Sequence, residues 1–115
     1  MTSVDAGYVC AGIAVARYEA AAEWYERFFG RPPDVLPHAT EAMWLLEGSG
    51  AVYIVEDGER AGRSLVAVLV DDLDGIVAGL ADRGIPAEWV DEARPQRVIV
   101  TDPDGSRITV GEWSP

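Results

Sequence analysis

The sequence has little sulfur, almost no histidine and few basic residues. Its single cysteine, Cys10, cannot form an internal disulfide, and its single histidine, His38, cannot build a zinc cluster. No apolar run is long enough to span a membrane, and the segment MTSVDAGY lacks the basic and apolar regions of a signal peptide. The net charge of −11 disfavours nucleic acid and anionic membrane surfaces, because both are negatively charged. These absences predict a cytoplasmic protein with neither a nucleic-acid nor a membrane partner.

The first part of the chain has the pattern of a strand, a helix and a hairpin. With 115 residues, 49% of them apolar, the chain is long enough for a single domain, 1–115, with its own core. The helix ends at Gly30, which is soon followed by two prolines. The predicted elements are a strand at 8–16, a helix at 19–29, and hairpin strands at 41–47 and 51–56 around a Gly-Ser-Gly turn.

The second part repeats this order after a polar connector at 57–64. Its helix can be capped by Asp71 or Asp72 and ends at Gly84. An apolar stripe at helical spacing is formed by Leu73, Ile76, Val77 and Leu80. The predicted strands are 65–70, 85–90, 96–101 and 106–113.

The two parts can be superimposed by a shift of about 55 residues, which indicates an internal duplication. The shift places 15–18 on 70–73, and a shift one residue longer places Tyr53 on Thr109. We therefore predict an α+β fold of two βαβββ modules, at about 7–57 and 64–113. Each module would form a curved antiparallel sheet covered by a helix, and the paired sheets would enclose a cleft.

Three segments resemble the vicinal oxygen chelate superfamily, also called the glyoxalase/bleomycin resistance/dioxygenase family. They are IAVARYEAAAEWYERFFG (13–30), VLVDDLDGIVAGLADRGIP (68–86) and TDPDGSRI (101–108). The resemblance covers essentially the whole chain and implies the two-module fold. It implies no single activity, because the superfamily includes metal-dependent enzymes, thiol transferases and proteins that only sequester a drug.

The resemblance also implies where a metal would be held, by one His and one Glu in each module. Those positions are occupied here by Cys10, Tyr53, Leu65 and Thr109. A hard divalent metal needs several oxygen or nitrogen ligands at one point, which these side chains do not supply. Glu56 and Glu112 lie three residues beyond the expected positions, so strand alternation turns them to the opposite face. We therefore predict no metal and no cofactor.

A cleft lined by alternate strand residues would be mostly apolar, with sparse polar groups. Trp24 is expected to pack in the helix or at a subunit contact. Each of the strand tryptophans is either a packing residue or a platform for a planar ligand. The candidate ligand-binding residues are Tyr53, Trp44, Trp89, Thr109, Arg107, Cys10 and Trp113.

Two functions are compatible with this pattern. The first is a metal-free binding protein of the bleomycin-resistance type, a homodimer that holds a planar aromatic or cationic small molecule, for which an acidic chain is suited. The second is an enzyme that uses side-chain acid–base chemistry from Tyr53, Cys10, Thr109 or Glu41, or a non-standard metal site. The sequence shows no obvious acid–base pair, so no catalytic residue is assigned and the binding role is favoured.

Overall fold

The computed structural model describes residues 3–5, 7–90 and 96–113. The first two residues, which belong to the segment interpreted as lacking a signal peptide, lie outside those ranges. Within them, neither helix has the length and apolar content required to cross a bilayer. The elements in chain order are β1 (Val9–Val15), α1 (Tyr18–Phe29), β2 (Val35–His38), β3 (Glu41–Leu46), β4 (Gly50–Glu56), β5 (Leu65–Val70), α2 (Leu73–Asp82), β6 (Glu88–Trp89), β7 (Arg97–Thr101) and β8 (Arg107–Glu112).

The two βαβββ modules form one four-stranded sheet each, with strand orders β1-β4-β3-β2 and β5-β8-β7-β6. The sheets are mixed, whereas the sequence predicted antiparallel ones: β1 runs parallel to β4, and β5 runs parallel to β8. The reason is the helical crossover, which carries the chain to the far edge so that the last strand returns beside the first in the same direction. The α+β class and the organisation in two modules are confirmed, but the two sheets do not close around the predicted cleft.

The strand register confirms the internal duplication. Gly12 pairs with Tyr53 in the first sheet, and Ala67 pairs with Thr109 in the second. These two pairs are related by the shifts that the sequence predicted, so the residues of each pair occupy equivalent places in the two modules. The sequence did not delimit β2, whose residues are all exposed and include Pro37, and β6 is shorter than the predicted strand at 85–90.

The helix ends are fixed by specific hydrogen bonds. Asp72 caps α2 as predicted, because its side chain accepts a hydrogen bond of 3.0 Å from the Gly75 backbone nitrogen. Arg17, at the start of α1, makes no such cap, and Glu56 accepts from the Tyr18 nitrogen instead, at 3.4 Å. The Glu56 side chain thus lies on the helix side of the sheet, as the strand alternation predicted.

The core lies between the helices and one face of each sheet. Tyr25 and Phe28 of α1 pack there against the alternate residues of β3 and β4. Neither helix of the described residues covers the other face of each sheet, which we call the open face. Hydrogen bonds also connect the carboxyl ends of the two helices. Arg83 donates to the carbonyls of Arg27 and Phe28, and Arg27 donates to the carbonyl of Arg83.

Candidate functional site

The turn at 102–106 connects the two modules. The Tyr25 hydroxyl, from α1, donates a hydrogen bond of 2.7 Å to Asp102 Oδ2, and both groups are buried. Asp102 Oδ1 also accepts from the nitrogens of Asp104 and Ser106, at 3.0 and 2.8 Å. Burial raises the pKa of the Tyr25 hydroxyl well above its usual value, and the hydrogen bond to Asp102 raises it further. The turn at 102–106, which lies within one of the three segments that carry the resemblance, therefore joins the two modules.

The connector at 57–64 is hydrogen-bonded to the first module at one end and to the turn at 102–106 at the other. The Asp57 nitrogen donates to the Val15 carbonyl at 2.9 Å, and the Ser64 nitrogen donates to Ser106 Oγ at 3.1 Å. Between them, Gly62 has a φ of 84° and approaches the Asp104 carbonyl so closely that a Cβ would clash. The connector therefore has a defined path beside the end of the first sheet.

A cavity of about 380 Å³ lies between this connector and the open face of the first sheet. We call it the Tyr53 cavity. Its floor is formed by alternate residues of the paired strands β1 and β4, and its rim by the connector. The lining residues are Gly12, Ala14, Tyr53, Val55, Asp57, Arg60, Arg63 and Ser64.

The Tyr53 ring lies across Gly12. A Cβ at Gly12 would be 2.5 Å from the Tyr53 Cζ and hydroxyl oxygen, so only glycine leaves room for the ring in this position. Because β1 contributes small residues here, the ring presents an aromatic surface at the base of the cavity. This arrangement provides a planar apolar floor with polar groups around it.

The charges on the rim have the opposite balance from the chain as a whole. Arg60 and Arg63 contribute two guanidinium groups and Asp57 one carboxylate. The chain overall has 20 acidic and 9 basic residues. The net charge that suggested a cationic ligand therefore does not describe this cavity.

The four metal positions implied by the resemblance carry no suitable set of ligands. Cys10 is exposed, Tyr53 and Thr109 are half-buried, and Leu65 is 83% exposed on the open face of the second sheet. Among residues 3–5, 7–90 and 96–113, no three His, Cys, Asp or Glu side chains come together to hold a metal ion. The described donors do not fit a divalent cation.

The predicted ligand-binding residues do not lie at one site. Tyr53 lines the cavity, whereas Cys10 lies farther along the same face. Trp44 has 0% exposure, packs against Phe29 with 4.9 Å between ring centroids, and donates its indole N–H to the Arg31 carbonyl at 3.0 Å. It lies on the helix side, since its neighbour Met43 pairs with Tyr53. Of the two roles open for Trp44, core packing is the one that its surroundings show.

The remaining predicted residues belong to the second module. Trp89 pairs with Val98, whose side chain is in the core, so it shares the helix side of the sheet although it is partly exposed. Arg107 and Thr109 lie on the open face of β8, and Trp113 is exposed just beyond that strand. None of these four lines the Tyr53 cavity.

Sequence reasoning missed the rim of the cavity. The polar, glycine-containing connector indicates a boundary between modules, and none of the predicted site residues lies in it. The available signal was the pair of arginines in a short glycine-containing segment of an acidic chain.

Comparison with known proteins identifies solved structures that share this fold. No protein-family model and no curated protein sequence matches the chain. A glyoxalase/bleomycin resistance protein from Catenulispora acidiphila is 39% identical over 95% of this chain and 100% of its own, with a TM-score of 0.89. An antibiotic-binding protein from a Streptomyces species has a TM-score of 0.77 at 18% identity, covering 98% of this chain and 100% of its own. A glyoxalase/bleomycin resistance protein from Streptomyces has a TM-score of 0.72 at 19% identity, covering 90% and 98%. Because it is 39% identical to the Catenulispora protein over 95% of its length, the chain belongs to the glyoxalase/bleomycin resistance protein family.

Proposed function

We propose that this protein binds a small planar organic molecule in the Tyr53 cavity, without a metal and as a homodimer. The observation that carries the proposal is the cavity itself, with the Tyr53 ring as its floor and polar groups on its rim. Its volume of about 380 Å³ lies in the range of small-molecule pockets, which combine apolar walls with a few polar groups.

The chemistry of the available donors supports binding over metal-assisted catalysis. At the positions where the family holds its metal, this chain has a thiol, a phenol, an alkyl group and an alcohol. Hard divalent cations prefer several carboxylate or imidazole ligands. The antibiotic-binding Streptomyces protein shares this fold, which makes a purely binding role compatible with the architecture.

The homodimer part of the proposal rests on the apolar open face of the second sheet. Leu65 and Leu69 are exposed on β5, with Ala67 exposed between them. Exposed apolar groups this close together are typical of an interaction surface. A second copy is the occupant we propose, because the first sheet presents the matching open face, with Met43, Tyr53 and Leu45 on it. If the second sheet of one copy packed on the first sheet of the other, it would cover the side of the Tyr53 cavity that faces solvent.

A thermal-shift screen of planar aromatic compounds tests the binding role. We expect at least one compound to raise the melting temperature of the wild-type protein, and Ala14→Phe to abolish that shift by filling the cavity. Ala78→Phe, which adds the same ring at an exposed site on α2, is the matched control and should retain the shift. Shifts that survive Ala14→Phe, or none from any compound, would contradict the proposal.

A further inference from the structure

The rim of the Tyr53 cavity is rich in hydrogen-bond donors. Arg63 is exposed and takes part in none of the ion pairs formed among the described residues. Arg60 is paired with Asp57 at 3.5 Å, but its side chain is 84% exposed, so this pair is weak. Tyr53 and Ser64 line the same cavity. The cavity is therefore bordered by two arginines and two hydroxyl-bearing residues.

The acidic group on the rim is occupied by the connector. Asp57 Oδ1 accepts from the Arg60 backbone nitrogen at 3.4 Å, and its backbone carbonyl accepts from the Arg60 and Ala61 nitrogens at 3.2 and 3.1 Å. Asp57 thus closes the turn that carries Arg60. Its carboxylate is engaged within the connector, but it also lies on the rim, where it competes with an anionic ligand for Arg60.

The backbone that carries the two arginines is held at both ends. Asp57 is bound to β1 and Ser64 to the turn at 102–106, as described above. The backbone that carries the two arginines is therefore fixed, whereas their exposed side chains can rotate toward the cavity. Guanidinium groups bind carboxylates through paired, charge-assisted hydrogen bonds, which makes two of them a suitable anchor for one organic acid.

We propose that the Tyr53 cavity selects organic anions, with a carboxylate held by Arg60 and Arg63 and a planar apolar body on Tyr53 and Gly12. This inference rests on the proposed function and adds the charge of the ligand. The expected ligand charge is therefore negative, whereas the net charge of the chain suggested a cation. A ligand at contact distance interacts most strongly with the nearest charges, because the more distant carboxylates are screened by solvent and salt.

Three probes with the same naphthalene body test this selectivity. They are 2-naphthoate, the neutral 2-naphthamide and the cationic 2-naphthylmethylammonium, each titrated calorimetrically into the wild-type protein. We expect naphthoate to bind about tenfold more tightly than naphthamide, since it adds a charge-assisted contact, and the cation to bind most weakly.

Charge-removing variants assign the effect to the rim. Arg60→Gln and Arg63→Gln should each weaken naphthoate binding several-fold, to about tenfold, while leaving naphthamide unchanged. Asp57→Asn keeps the turn but removes the competing carboxylate, and should tighten naphthoate binding. Arg17→Gln removes the same charge from an exposed site outside the cavity and is the matched control. Circular dichroism of each variant confirms that it is folded.

The outcomes separate this inference from the proposed function. The anion selectivity is overturned if naphthoate binds no more tightly than naphthamide, or if Arg60→Gln and Arg63→Gln both leave its affinity unchanged. If naphthamide still binds and Ala14→Phe blocks it, the proposed function stands without the charge preference. If none of the probes binds at millimolar concentration, the selectivity is overturned, and the thermal-shift screen decides the proposed function separately.

Discussion

The Tyr25 hydroxyl and the Asp102 carboxylate, 2.7 Å apart and buried, join α1 of the first module to the β7–β8 turn of the second. Asp102 receives further hydrogen bonds from two backbone nitrogens of its own turn. A buried carboxylate with this number of donors is well compensated for the loss of water. Because the same turn holds Ser64 at the end of the connector, this contact positions the rim of the cavity without belonging to it.

Removal of the Tyr25 hydroxyl is expected to destabilise the fold. Tyr25→Phe leaves one oxygen of a buried carboxylate without a donor, so the free energy of unfolding should fall by about 1–3 kcal/mol. Urea denaturation measures this change. Tyr53→Phe, which removes a hydroxyl on the open face, is the control and should change stability by less than about 0.5 kcal/mol. An equal effect of the two substitutions would contradict the assigned role of Tyr25.

Stability should also fall at alkaline pH through Tyr25. Its folded-state pKa is raised, so the folded protein keeps this proton when the unfolded chain loses it near the usual tyrosine value of about 10. The unfolded state then binds fewer protons than the folded state, so the free energy of unfolding decreases by about 1.4 kcal/mol per pH unit above that value. Urea titrations between pH 9 and 11 measure the slope, and Tyr25→Phe should make it shallower. An unchanged slope in that variant would show that Tyr25 does not cause it.

Gly12 is expected to control the position of the Tyr53 ring. Gly12→Ala places a Cβ where the ring lies, so the ring must move, and ligand affinity should fall while the fold remains intact. In the background of Tyr53→Ala the same substitution meets no ring, and its effect on affinity should disappear. This double-mutant cycle is measured with the compound found by thermal shift. Additive effects would mean that the two residues do not interact in the site.

The proposed homodimer depends on the apolar open face of the second sheet. Leu65→Glu introduces a charge where a second copy would pack, and is expected to shift the protein from dimer to monomer in light scattering coupled to size-exclusion chromatography. Glu59→Ala, on the exposed connector, changes one charge elsewhere and should leave the mass unchanged. A wild-type protein that is monomeric at micromolar concentration would contradict the proposal directly.

The sequence was sufficient for the module order and for several local contacts. The helix cap at Asp72 and the equivalence of Tyr53 and Thr109 follow from local patterns and from the repeat. The direction of β1 and β5 relative to their neighbours could not be predicted from the sequence, because apolar residues alternate in the same way in parallel and antiparallel strands.

The candidate site could be predicted from the sequence less completely than the fold. The sequence leaves two roles open for Trp44, since an aromatic residue on a strand can pack in the core or contact a ligand. Its full burial and the pairing of Met43 with Tyr53 show that it faces the core. Arg60 and Arg63 approach the cavity because the connector is bound to β1 at one end and to a turn at 102–106 at the other. A contact between segments so distant along the chain has no local signature.

The most direct test of the central claim is nuclear magnetic resonance mapping of a planar ligand. In a titration of ¹⁵N-labelled protein with 2-naphthoate, we predict saturable shifts centred on the amides of Gly12, Ala14 and Tyr53, and their loss in Ala14→Phe. Saturable shifts centred instead on the open face of the second sheet or on the helices, or an absence of saturable shifts at the Tyr53 cavity, would contradict the account.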